Sequence, residues 1–196
     1  MTTKSPQEKV EEIFSLYDKY GDENYGEGVT QLMHMVQCAN LAQQEGYDDE
    51  MILAAFFHDI GHLLEHDEDM GGYGNKDHDK LGHDLLLQYG FSERVAKLVA
   101  SHVATKRYLT YAEPGYYEKL SDASKTTLQY QGGPMSAEEA GAYENDPLIK
   151  EYIRIRYWDD LGKEDEPVDT ADVQKIKDLT LRYLESRQQC FISSEV

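Results

Sequence analysis

The chain has few cysteines and few basic residues, and it has no long apolar run. Each shortage narrows what it can be. Its two cysteines, Cys38 and Cys190, stand far apart and without CxxC spacing. They cannot define a disulfide framework, and they suit a reducing, cytoplasmic compartment. Nothing approaches the ~18 consecutive apolar residues that mark a membrane span. The opening residues, MTTKSPQEKV, lack the apolar core of a secretory leader. No membrane partner is expected. Lys and Arg number 19 against 38 Asp and Glu, a net charge of −19. Binding to a phosphate backbone needs a basic patch, so nucleic acid is not an expected partner. The acidity reads as a solvated, soluble surface.

Strand signals are also scarce. No series of segments alternates with period two, whereas helical spacing recurs throughout. In residues 6–20, Val10, Ile13, Phe14 and Tyr17 fall at i, i+3, i+4 and i+7, and Gly21 stops the pattern. Further helices are expected in VTQLMHMVQCANLAQQEG, DDEMILAAFFHDIGHLLE, HDKLGHDLLLQYG and SERVAKLVASHVATKRYL, the last with Ser92 as its N-cap. Residues 111–135 read as turns around one short helix. SAEE at 136–139 is a capping-box pattern. Asp146 and Pro147 make an N-cap and N1 pair for DPLIKEYIRIRYWDDLGK, and DTADVQKIKDLTLRYLESR closes the chain. The expectation is an all-α single domain over residues 1–196, with a core at about 10–165 and a C-terminal helix at about 169–190.

Several of these helices carry ligand-type residues on their apolar sides. His58 and Asp59 fall in the third, His102 lies on a stripe with Val95, Leu98 and Val99, and Asp159 lines up with Leu148, Tyr152 and Ile155. His34 stands near Met33, Val36 and Leu41. One inward histidine is ordinarily a hydrogen-bonded core residue. Several helices each sending in a histidine or aspartate suggest a shared metal centre, because a buried carboxylate needs a partner. Imidazole with carboxylate suits iron, manganese or zinc in an open site. HDIGH is a poor zinc-protease motif, since that motif needs Glu between its histidines. Of the seven histidines, His66 and His83 sit in or beside polar stretches and read as solvated.

The order His34, His58-Asp59, Asp159 resembles the H…HD…D pattern of the HD-domain superfamily, a helical fold holding metal between helices. His78 and His102 fall where its two-metal members add ligands. YGEGVTQLMHMVQCANLA, ILAAFFHDIGHL, GGYGNKDHDKLG, SHVATKRYL and RYWDDLGK look like the phosphonate-degradation HD proteins, across roughly residues 10 to 165. Those are mixed-valent diiron oxygenases, similar in chemistry to inositol oxygenase. The resemblance implies two iron ions, Fe(II)/Fe(III), with O2 as co-substrate. It implies cleavage of the C–P bond of 2-amino-1-hydroxyethylphosphonate, giving glycine and phosphate. One iron would be held by His34, His58 and Asp159, with Asp160 as the alternative to Asp159. The other would be held by His78 and His102, and Asp59 would bridge the two. Tyr25 would be a displaceable ligand, although it stands two residues before Glu27 where the family's spacing is three. Glu27 would receive the substrate ammonium. His62, Lys106, Ser124 and Gln129 would meet the phosphonate.

Three rivals share this ligand set. A metal-dependent HD phosphohydrolase would act on nucleotides through a metal-bound hydroxide. The same oxygenase could instead take an N-trimethylated substrate and yield glycine betaine, with Tyr111, Tyr116, Tyr117 and Tyr130 offering aromatic faces to a quaternary ammonium. A degenerate, non-catalytic HD module is the third. The sequence leaves monomer and homodimer both open.

Overall fold

Helix starts are set locally. Ser5, Thr30, Asp48, Ser92, Ser121 and Ser136 each accept a hydrogen bond from the backbone N–H three residues on. Each such cap satisfies an otherwise orphaned donor and contributes about 1 kcal/mol. Ser5 with Glu8 and Ser136 with Glu139 complete reciprocal capping boxes. The computed structural model describes residues 4–24, 27–64 and 70–194. Its helices are α1 (Pro6–Tyr20), α2 (Gln31–Gln44), α3 (Asp49–Phe57), α4 (His78–Tyr89), α5 (Glu93–Ala112), α6 (Tyr116–Lys119), α7 (Asp122–Tyr130), α8 (Ala137–Tyr143), α9 (Ile149–Leu161) and α10 (Thr170–Ser194). A 3-10 turn, Ile60–Leu63, follows α3. No strand occurs among the described residues, and none of their helices is long and apolar enough to cross a membrane.

The core forms around α3. Every residue from Met51 to Phe57 is buried, as expected of a helix that is apolar all round. α2, α5, α9 and α10 pack against it. Phe14 and Tyr17 of α1 meet Phe56 at ring-centroid distances of 5.8 and 5.0 Å. α4 packs on α5, and α9 lies across both α2 and α5. The end of α3, the start of α2, the middle of α5 and the end of α9 thereby converge on one region, with the start of α4 beside them.

The structure corrects four expectations. The third helix does not run on through HDIGH but ends at Phe57, with His58 as its C-cap and Asp59 at φ −103°, ψ 9°. Gly61 shows why the chain is bent there: a Cβ on it would lie 1.9 Å from the carbonyl oxygen of His78. Residues 111–135 contain two helices, α6 and α7, where one short helix is expected. Asp146 does not cap α9 as predicted. Leu148 is its N-cap, and Asp146 Oδ1 instead accepts from the Leu148 N–H at 2.8 Å. The C-terminal helix runs on to Ser194.

Candidate metal centre

Four buried histidines meet at this convergence, and their hydrogen bonds determine which nitrogen faces inward. Nδ1 of His34 lies 2.8 Å from the carbonyl oxygen of Gly162, that of His58 2.8 Å from Ala55, that of His78 2.7 Å from Asn75, and that of His102 2.8 Å from Val99. A carbonyl can only accept, so each Nδ1 carries the proton and each Nε2 of the neutral ring presents a lone pair. Those lone pairs point at one another. Nε2 of His34 is 3.1 Å from Nε2 of His58, and Nε2 of His78 is 2.8 Å from Nε2 of His102. Two lone pairs at that distance repel unless a proton on one ring or a metal ion lies between them. At metal–nitrogen bonds of ~2.1 Å, two ligands at a right angle sit ~3.0 Å apart. The separations match such an edge at both pairs.

The carboxylates complete the two donor sets. Asp59 turns Oδ2 to the first pair, 3.7 Å from His34 Nε2 and 3.4 Å from His58 Nε2. It turns Oδ1 to the second pair, 3.6 Å from His78 and 3.3 Å from His102. Asp159 Oδ1 lies 3.4 Å from His34 Nε2 and 4.0 Å from His58 Nε2. The residues fit two cations sharing one carboxylate. The second set draws fewer protein donors than the first, which leaves room for exogenous ligands. The electrostatics agree. Burial opposes charge on Asp59, yet His58 and His102 hold its carboxyl well below the usual range. Burial likewise opposes charge on Asp159, and Arg156 and His34 overcome it. Burial works against a cationic His58, but Asp59 raises its pKa to about 9, so the anions call for positive charge at that nitrogen. Burial and His102 push His78 down to about 3.

Arg156, which sequence reasoning missed, separates the two adjacent aspartates. Its Nη1 donates to Asp159 Oδ2 at 2.6 Å, leaving Oδ1 toward the histidines. Its Nε donates to Asp160 Oδ2 at 3.2 Å and to the Tyr116 hydroxyl at 2.9 Å, and Nη2 pairs with Asp160 Oδ1. Tyr116 donates to Asp160 at 2.6 Å. Asp160 is thus the counter-ion of a buried guanidinium, and Asp159 is the carboxylate that faces the histidines. The signal was present as R-x-x-D-D, which places both acids one helical turn from Arg156. Cys38 also lies close, 3.9 Å from both ring nitrogens of His34, but its thiol donates to the Trp158 carbonyl at 3.4 Å.

A cavity opens on this centre, lined among others by Glu27, Gln31, His62, Tyr73, Lys106, Ser124, Thr127, Gln131 and Lys163. His62 differs from the other four histidines. The Asn75 N–H donates to its Nδ1 at 3.1 Å, so the ring's proton is on Nε2 and that nitrogen is a donor. Burial and the neighbouring His78, stacked at 3.8 Å, hold it well below its usual pKa and hence neutral. Gly74 permits this contact: at φ +81°, a Cβ on it would lie 2.4 Å from His62 Nδ1. Lys106 is buried and donates to Thr127 Oγ1 at 2.8 Å; Thr127 in turn donates to the Ser124 carbonyl at 3.2 Å. Burial and Arg156 bring Lys106 down to about 7.

Two predicted contacts fall elsewhere. Gln129 is exposed on α7 and does not line the cavity; Thr127 and Gln131 do, because 129 lies on the other side of the helix from 124. Tyr111, Tyr117 and Tyr130 are exposed, and Tyr116 is spent on Asp160 and Arg156, so this group forms no aromatic cage at the cavity. Tyr25 lies outside the described residues. Asn75, whose backbone fixes both His62 and His78, carried no signal in the sequence.

The chain matches the HD domain family over residues 32–153. It is 42% identical over 160 residues to an uncharacterized protein of Acanthamoeba polyphaga mimivirus, covering 80% of this chain and 73% of that one. It is 41% identical over 160 residues to the [1-hydroxy-2-(trimethylamino)ethyl]phosphonate dioxygenase (glycine-betaine-forming) of Leisingera caerulea, covering 79% and 80%. It is 37% identical over 164 residues to the hydroxymethylphosphonate dioxygenase of Gimesia maris, covering 82% and 81%. With its paired histidines, shared Asp59 and matching length, this chain belongs to the HD-domain family and is similar to phosphonate dioxygenases within it.

Proposed function

We propose that this protein is a diiron oxygenase that cleaves the C–P bond of a small 1-hydroxyphosphonate with O2, releasing phosphate, with 2-amino-1-hydroxyethylphosphonate and its product glycine as the type reaction. The observation that carries the substrate class is Lys106. Among the described residues it makes no ion pair, although it is buried in an acidic protein beside the metal centre. A buried lysine with no carboxylate partner is held in its charged form by an anionic ligand. The named activities of the Leisingera and Gimesia relatives support a phosphonate as that anion.

The proposed roles follow from the donors on hand. His34, His58 and Asp159 would hold one iron, His78 and His102 the other, with Asp59 between them. Mixed-valent iron would supply the O2 chemistry and a Lewis-acidic hold on substrate oxygens. The Lys106 ammonium, the His62 Nε2–H and the Ser124 hydroxyl line the cavity where phosphonate oxygens need donors. As the C–P bond breaks, charge builds on the departing phosphate, and Lys106 and His62 hold it without reorganising. Glu27, on the cavity wall and paired with Lys163, faces the substrate's far end.

The primary amine is preferred to the trimethylated analogue, since the four tyrosines offered for a cage do not reach the cavity. The test is phosphate release by the iron-loaded protein from the amino, trimethylamino and unsubstituted hydroxyphosphonates, alongside nucleoside monophosphates with Mn²⁺. Release from the phosphonates in air is expected. Turnover of nucleotides without O2 would move the protein to the hydrolases.

A further inference from the structure

The charges lining the cavity can be paired off one by one. Asp159 faces Arg156, and Asp59 faces the four histidines. Glu27 is also matched: its Oε1 accepts from the Lys163 ammonium at 2.6 Å and from the Ser121 hydroxyl at 2.6 Å. Lys106 is the cation left without a carboxylate among the described residues. The cavity therefore has a cation waiting for an anion, but no carboxylate waiting for a cation. The carboxylate expected to receive a substrate ammonium already holds a primary ammonium from its own chain.

Lys163 is not placed there by chance of a long side chain. Its backbone is clamped on both sides against α2. The Gly162 carbonyl accepts from His34 Nδ1 at 2.8 Å. Glu164 exchanges two hydrogen bonds with the Gln37 amide, at 2.7 and 3.0 Å. Gly162 allows the close approach, since a Cβ on it would lie 2.8 Å from Cys38 Sγ. On the other side, Ser121 caps α7 and donates to the same Glu27 oxygen, so the pair ties α7 to the end of α9.

Resting on the phosphonate reading above, we propose that Lys163 is a specificity-determining residue: a resident counter-cation on Glu27 that discriminates against 1-hydroxyphosphonates with a cationic tail. A substrate bearing an ammonium meets a carboxylate whose charge Lys163 already offsets and whose Oε1 is taken by Lys163 and Ser121, so it pairs there more weakly than with a bare Glu27. A substrate without a cation, such as hydroxymethylphosphonate, leaves the Lys163–Glu27 pair in place. The chain's own ammonium thus sets how far its preference leans toward uncharged tails.

The experiment is calorimetric binding to the iron-loaded protein without oxygen, using hydroxymethylphosphonate and 2-amino-1-hydroxyethylphosphonate on wild type, Lys163→Gln and Lys163→Arg. Expected is a shift of at least about fivefold in the ratio of the two Kd values toward the amine in Lys163→Gln. Lys163→Arg should keep the wild-type ratio or lean further from the amine. An equal change in both affinities would make Lys163 a contact for the shared phosphonate and overturn the proposal, as would selective loss of amine binding. Because binding is read without O2, a chain that discriminates as stated yet releases no phosphate in air supports this inference and contradicts the oxygenase reading.

Discussion

Asp59 presents one carboxylate oxygen to each histidine pair, at 3.3–3.7 Å from four Nε2 atoms. An amide can accept on one side only, since its other end is an N–H donor. Asp59→Asn should therefore retain about one metal ion per chain where wild type holds two, and lose activity by about 100-fold or more. Metal analysis and phosphate assays read both. Lys106 makes a pH prediction. Burial and Arg156 lower its pKa to about 7, so it is charged below pH 7 and progressively neutral above it. The advantage of wild type over Lys106→Met in binding a phosphonate should be greatest below pH 7. It should shrink as pH rises, by up to about tenfold per unit. Ionisation of the free phosphonate cancels in the comparison where both proteins bind the same ionic form. A constant advantage from pH 6 to 9 would contradict the role.

At the scale of elements, the break after α3 makes the site. Asp59 lies just past the end of α3, outside helical φ/ψ, with one oxygen toward each histidine pair. Gly61 permits the break because α4 begins against it, with the His78 carbonyl where a Cβ would go. Gly61→Ala should cost about 1–3 kcal/mol through forced backbone movement and displace His78. Urea unfolding and metal content should fall together; full stability with loss of the second metal alone would show the strain taken up locally. The sequence hid this break because the apolar phase runs straight through it: Ile60 and Leu63 are buried like the α3 residues before them. By contrast, Asp159 and His102 were legible as polar residues on apolar stripes, and Tyr152, Ile155 and Asp159 are indeed buried on one side of α9. Caps at Ser92 and Ser136 were equally plain, since they depend on four consecutive residues. What the sequence could not show comes from loops and long-range contacts. Asn75 fixing His62, Lys163 meeting Glu27 and Gly162 meeting His34 follow no helical period. Gln129 was misplaced because the start of α7, and so its phase, was not readable among the turns.

At the scale of the whole molecule, the helices around α3 are joined at one end by facing lone pairs and buried carboxylates. Metal binding is then folding energy, because the unfolded chain has no such site. Removing the ions with a chelator should lower Tm by about 5–10 °C for each ion: one ion at a hundred times its Kd contributes about 2.7 kcal/mol, and each kcal/mol moves Tm by about 2–4 °C at this length. Calorimetry with and without added iron checks this, and an unchanged Tm would argue against a shared centre. The central claim concerns oxygen. For a 1-hydroxyphosphonate carried to a carboxylic acid and phosphate, atoms balance with one O2 consumed per phosphate released. The most direct measurement is O2 uptake and phosphate release followed together on the iron-loaded protein. The account predicts equal amounts in air and no phosphate in an anaerobic vessel; full phosphate yield without oxygen would contradict it.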